Sequence, residues 1–310
     1  MYLTRAMLTE GSVMNTEVHT PTPLAQISNL RISFPTATGA LREVVRGLSL
    51  TLMPGERLGI VGESGSGKSL TGRALLGMLA PGAVWSADDM RFEGRDLLAM
   101  KPAARRQLCG RDIGMILQDP KYSLNPVMTV ASQLKEAFHL REPHLKGAAL
   151  QARMVQALES VHIRDPEQVL KAYPHELSGG MGQRVMIAMM VSSGPKLLIA
   201  DEPTSALDVL VAMQTLRVMD ELIARHNTGL ILISHDLELV SQFCDRVVVM
   251  YAGQVMETCA AGDLNQATHP YTRALLAASP RLQQDQAWLP TMQRDPRWRE
   301  PQAAMTGGLQ

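Results

Sequence analysis

Residues 58–69 read Leu-Gly-Ile-Val-Gly-Glu-Ser-Gly-Ser-Gly-Lys-Ser, and no other stretch restricts the possible fold as tightly. Leu58 to Val61 is a short apolar run that reads as a buried strand, and the helix-prone residues 70–79 follow. Between them stands Gly62-x-x-x-x-Gly67-Lys68-Ser69. Glycines admit positive φ and turn several N–H groups inward, while the helix start adds its positive end at the same point. A strand, a loop and a helix in this order cradle phosphate, so Gly62, Glu63, Ser64, Gly65, Ser66, Gly67, Lys68, Ser69 and Leu70 are the expected nucleotide-binding residues. Lys68 is placed to reach the β- and γ-phosphates and the Ser69 hydroxyl to ligate Mg²⁺. A plain Gly-rich turn would leave the lysine at its mouth unexplained.

Charge narrows the partners. Lys plus Arg equal Asp plus Glu at 30 each, which argues against an electrostatic grip on nucleic acid or acidic lipid. No basic-then-apolar signal pattern opens the chain, and no apolar run approaches the ~18 residues that cross a bilayer, so a cytosolic protein is expected, touching membrane through a partner. Cys109, Cys244 and Cys259 lack metal-ligand spacing and read as incidental thiols of a reducing compartment. Met186, Met189 and Met190 share a helical spacing with other apolar residues and read as core.

Residues 1–24 are polar and unpatterned, a flexible extension in which Met14 is an alternative start. Ile27, Leu30, Ile32 and Phe34 alternate as in a strand, and residues 44–52 suggest another, closed by Pro54 and Gly55. Further strands are expected at 90–92, 113–117, 197–200, 229–233 and 246–251. Helices are expected at 130–138, 148–161, 166–170, 210–225 and 237–243, so a helical insertion interrupts an α/β core with a mainly parallel sheet.

Two more constellations carry chemistry. The apolar run 197–200 ends in Asp201 and Glu202; beside a phosphate site Asp201 can hold Mg²⁺ or its waters and Glu202 can polarise an attacking water. Leu177-Ser178-Gly179-Gly180 opens a helix to about Ser192, with Ser178 as N-cap and bared N–H groups as a second anion site. Phe34, at the end of the first strand, is the candidate to stack on an adenine.

Together these motifs resemble the ATPase subunits of ABC transporters over residues 25–262. The resemblance implies an α/β fold: a RecA-like phosphate-loop ABC ATPase core, an antiparallel β subdomain and an inserted helical subdomain at about 119–180. It implies ATP and Mg²⁺ as ligands, and a dimer in which Ser178, Gly179 and Gly180 of one subunit close on ATP held by the other. Gln118 resembles the glutamine that touches Mg²⁺ and links the site to the helical subdomain, His235 the switch histidine at the γ-phosphate, and Ser205-Ala206-Leu207-Asp208 the loop crossing the dimer interface.

Ile116-Leu-Gln-Asp-Pro120 with 123–129, and Thr268-His-Pro-Tyr-Thr-Arg-Ala-Leu-Leu276, resemble the peptide and nickel importer subgroup, which makes 263–310 its C-terminal extension. In that last stretch Pro270 suits a first helical turn and Tyr271 is expected to stack over Leu275. The subgroup implies a second, different ATPase subunit, two transmembrane permeases and an extracytoplasmic solute-binding protein, with this chain on the inner face of the membrane. Dipeptide, oligopeptide, nickel chelate or another small solute all remain open as cargo. No cysteine follows Cys259, so the iron–sulfur cluster of some members is not expected, and Gly182 stands where many relatives carry a larger residue. A soluble ABC-type ATPase of DNA repair or translation is the alternative; the neutral charge and the short span of about 110 residues between Lys68 and Ser178 weigh against it. A small-molecule kinase would have no use for the second anion site.

Overall fold

The computed structural model describes residues 22–118, 123–191, 194–205, 207, 209–279, 292 and 294–300. Two sheets organise it. The first is antiparallel: β1 (Ala25–Pro35) pairs with β2 (Leu41–Leu52), with β4 (Val84–Ser86) and with β5 (Asp89–Phe92), which pairs β6 (Arg95–Asp96). Ala25, Ile27, Leu30 and Ile32 of β1 are buried while the residues between them are half-exposed or exposed, as in a strand with one face on a core.

The second sheet runs in the order β11 (Gln254–Ala260), β10 (Arg246–Tyr251), β3 (Arg57–Gly62), β9 (Gly229–Ser234), β8 (Leu197–Asp201), β7 (Ile113–Ile116). All neighbours are parallel except β10 and β11. Every residue of β8 and β9 is buried, which is why these strands read as unbroken apolar runs: one face packs on helices and the other on helix Lys68–Leu76 and the antiparallel sheet. The register sets Val61 beside Ser234 and Ile233 beside Asp201. The carboxyl ends of β3, β9 and β8 therefore lie side by side, where open α/β sheets bind ligands.

Helix α1 (Lys68–Leu76) leaves the phosphate loop and stops where Gly77 turns left-handed at φ 70°, earlier than its apolar composition suggests. The inserted helices Val130–His139, Gly147–Ser160 and Pro166–Lys171 pack with helix Gly179–Val191 through Leu134, Phe138, Leu158 and Met186. Thr129 caps the first of them by accepting from the Ser132 N–H.

Several elements escape the sequence pattern, β4 and β6 because they are only three and two residues long. Helix α2 (Pro102–Leu108) buries Arg105 and Leu108, so half its inward face is an arginine and no apolar period shows. Strand β11 buries Gln254 and Met256, which masks its alternation in the same way. The ring of Tyr271, expected over Leu275, is fully buried, with Tyr251 4.5 Å and Trp298 5.6 Å away between ring centres.

Candidate nucleotide-binding and hydrolysis site

Backbone geometry shapes the phosphate loop before any side chain does. Gly62 has φ 148°, and a Cβ there would lie 2.0 Å from the Met250 carbonyl oxygen, so the loop leaves β3 along a path closed to other residues. Gly67 has φ 99° and starts α1, with Val45 and the Val44 carbonyl too close to admit a side chain. Lys68 is buried and donates to the carbonyls of Gly62 at 2.8 Å and Glu63 at 3.0 Å. Burial holds its ammonium below the usual lysine range, against the opposing pull of Glu202, Asp201 and Glu63. Leu70 sits half-buried on α1 against the core of the antiparallel sheet.

Ser69 Oγ donates to Asp201 Oδ1 at 2.7 Å, which joins the start of α1 to the end of β8. Asp201 is buried, and that burial pushes its carboxyl above the ordinary range, although the Ser69 bond and Arg73 pull it back. A desolvated carboxylate beside a hydroxyl is a donor set of hard oxygens, which suits Mg²⁺.

One residue on, Glu202 is left-handed at φ 48°, with its N–H on the Ile233 carbonyl at 2.9 Å. A non-glycine residue held this way costs free energy, and such positions cluster at working sites. Gln118 Nε2 donates to Glu202 Oε2 at 3.0 Å, and His235 Nδ1 lies 3.3 Å from Oε1. Gln118 follows β7 and His235 follows β9, so strands on either side of β8 deliver partners to one carboxylate.

Ser178 Oγ accepts from the Met181 N–H at 3.3 Å, capping helix Gly179–Val191; Ser178 and Gly179 are exposed. Among the described residues no hydrogen bond ties Ser178, Gly179 or Gly180 to the phosphate loop. Gln183, buried on the same helix, donates to the Pro203 carbonyl and so links that helix to the turn after Glu202. Its signal is faint: Gln183 and Arg184 are adjacent polar residues in a helix that is otherwise apolar or glycine, and only Gln183 is buried. Phe34 pairs with Arg42 across β1 and β2 and packs half-buried against the antiparallel core. A cavity of about 390 Å³ beside the loop is lined by Arg42, Val44 and Ser64 among others, and Phe34 does not line it. Asp208, Ala206, Asp119, Pro120 and Trp288 lie outside the described residues. The three cysteines are free and half-buried, and burial pushes the Cys244 thiol up to about 12.

The ABC transporter family model matches residues 45–205, more than half of the chain. This chain belongs to the ABC transporter family. The dipeptide transport ATP-binding protein DppD of Haemophilus influenzae is 45% identical over 87% of this chain and 82% of its own length. The oligopeptide transport ATP-binding protein OppD of Bacillus subtilis is 45% identical over 84% of this chain and 73% of its own. Among solved structures, a post-hydrolysis dimer of the ATP-binding cassette MJ0796 with ADP and phosphate superposes with a TM-score of 0.68 at 20% identity, covering 76% of this chain and 98% of that one. At that identity the likeness shows the fold alone: the RecA-like cassette with its antiparallel β subdomain, as expected. The chain is an ABC ATPase subunit that binds and hydrolyses ATP. No helix among the described residues is long and apolar enough to cross a membrane.

Proposed function

We propose that this ABC subunit hydrolyses ATP to drive import of short peptides, with Glu202 as the base that activates water. The observation that carries the catalytic part is the single carboxylate of Glu202 held between Gln118 at 3.0 Å and His235 at 3.3 Å, one residue after buried Asp201. His235, with hydrogen on both ring nitrogens, donates from Nδ1 to Oε1 and from Nε2 to the γ-phosphate, while Glu202 takes the proton of the attacking water. The loop N–H groups and Lys68 neutralise the phosphates. Mg²⁺, held by Ser69, Asp201 and the Gln118 amide oxygen, would shield charge on the β- and γ-phosphates.

Ser178 and Gly179, exposed, and half-buried Gly180, with no hydrogen bond to their own phosphate loop among the described residues, fit closure on the ATP of a second subunit. Phe34 is retained for the adenine and Asp208 for the dimer contact. The chain divides as an extension at 1–24, the ATPase unit at 25–262 with its helical insertion, and a C-terminal extension at 263–310. It works on the inner face of the membrane with a different second ATPase, two permeases and, through them, an extracytoplasmic binding protein. ATP shifts the population from open to closed dimers because it binds the two forms differently. Peptide, rather than nickel, as cargo follows from the dipeptide and oligopeptide relatives.

Affinity purification of tagged protein from membranes tests this. Two permeases, a second ATPase and ATP hydrolysis raised by peptide-loaded binding protein are expected. Ribosomes or nucleic acid with no permease would bring forward the soluble alternative.

A further inference from the structure

The backbone of Glu63 is held from an unexpected direction. Its N–H donates to the Tyr271 hydroxyl at 3.4 Å, its carbonyl accepts from Lys68 Nζ at 3.0 Å, and its Oε2 accepts from Arg294 at 3.1 Å. Tyr271 starts the helix Pro270–Ala278, and Arg294 precedes a short 3-10 turn at Pro296–Arg299. Two pieces of the C-terminal extension therefore converge on the second residue of the phosphate loop, whose other face holds the essential lysine.

Residues 294–300 are anchored independently of that ion pair. Trp298 packs edge-on against Tyr251 at 6.1 Å and Tyr271 at 5.6 Å, each ring angled steeply to its own. Arg46 donates to the Arg299 carbonyl at 2.7 Å and Gln254 to the Glu300 carbonyl at 3.1 Å. An exposed ion pair alone positions little, because water and salt screen it. An aromatic cluster with backbone hydrogen bonds around it is a different matter. The segment also brings Arg294 and Arg299 to the wall of the cavity that Ser64 and Ser66 line, adding positive charge beside the loop.

We infer that residues 294–300 form a clasp in which Trp298 anchors the segment and Arg294 positions the phosphate loop through Glu63, raising affinity for nucleotide. Arg294 and Trp298 are positioning residues: they touch neither Glu202 nor His235, so the chemical step proceeds without them. The inference rests on the reading that this loop holds the phosphates of ATP.

The test uses the full chain, with binding of fluorescent MANT-ADP and steady-state ATPase kinetics for Arg294→Gln and Trp298→Ala. Both variants are expected to raise the Kd for MANT-ADP and the KM for ATP about 3–10-fold while kcat stays within about twofold, the pattern of lost uniform binding. Arg294→Lys and Trp298→Phe are expected to recover most of the affinity. Since Arg294 is exposed, its variant keeps the fold even if Trp298→Ala does not. Unchanged Kd and KM in Arg294→Gln, or a fall in kcat at constant KM, overturns the clasp while the parent still binds nucleotide. A parent that fails to bind MANT-ADP removes the ATP reading and the clasp together.

Discussion

Gln118 and Glu202 are joined side chain to side chain, Nε2 donating to Oε2 at 3.0 Å, although 84 residues separate them. The bond spans β7 and β8 at their carboxyl ends and ties the entry of the helical insertion to the carboxylate proposed to activate water. Any movement of that insertion which shifts Gln118 changes the hydrogen bonding of Glu202.

Glu202→Gln keeps the shape of that side chain and removes its basicity. ATP turnover is expected to fall by at least about 100-fold, the usual scale of general-base catalysis. ATP affinity is retained, so a closed dimer accumulates. Phosphate release and gel filtration with ATP check both halves, and turnover at the parent rate would rule out Glu202 as the base.

Ser69→Ala removes the hydroxyl that meets Asp201 at 2.7 Å. Loss of one oxygen from a hard-cation site is expected to weaken Mg²⁺-dependent nucleotide binding by about 10-fold. Binding measured in EDTA should change far less. Equal losses with and without Mg²⁺ would remove Ser69 from the metal site.

Glu257 holds the start of the helix Pro270–Ala278, accepting from the Thr268 N–H at 2.7 Å, the Thr268 hydroxyl at 3.0 Å and the His269 N–H at 3.3 Å. Burial by itself raises its pKa, but these hydrogen bonds outweigh burial and hold the carboxyl below its ordinary value of 4.5. A depressed folded pKa stabilises the fold fully above the unfolded value and loses that contribution as pH falls through the folded one. Glu257→Gln is therefore expected to cost about 1 kcal/mol at pH 7. The gap between parent and variant in urea unfolding should close as pH drops below 4.5. A gap independent of pH would mean the charge is immaterial.

Arg105 is buried under α1, where its Nη2 meets the carbonyls of Ala74 and, at 3.1 Å, Leu75. The guanidinium also lies 5.5 Å from the centre of the Trp85 ring. Arg105→Ala strands helix-end carbonyls and opens a void, a loss of about 2 kcal/mol or more in stability. Thermal denaturation should shift down by several degrees, about 2–4 °C per kcal/mol in a domain of this size. A melting temperature equal to the parent's would show that water replaces the guanidinium at no cost.

The local part of the site was readable because its signals are contiguous. Residues 58–69 contain their own strand, turn glycines and helix start, and residues 197–202 contain a buried strand and both carboxylates. Gln118 and His235 carry no local signal that sets them apart from structural residues; only the family resemblance marks them. Tyr271 and Trp298 were less accessible still. Trp298 has no periodicity around it, and the sequence shows for Tyr271 only neighbours at helical spacing, not the rings of Tyr251 and Trp298.

By itself the sequence determined that a phosphate cradle follows a buried strand, that a second acid-bearing strand accompanies it, and that helices interrupt an α/β core. These follow from φ freedom, apolar run length and helical period, all properties of adjacent residues. The strand order β3, β9, β8, β7 was decided only by tertiary structure, and with it the meeting of Ser69 with Asp201 and of Glu202 with both Gln118 and His235. Tertiary structure also brought Arg294 to Glu63 across 231 residues. Such pairings depend on which faces pack together, a balance of burial over the whole core that no short stretch contains.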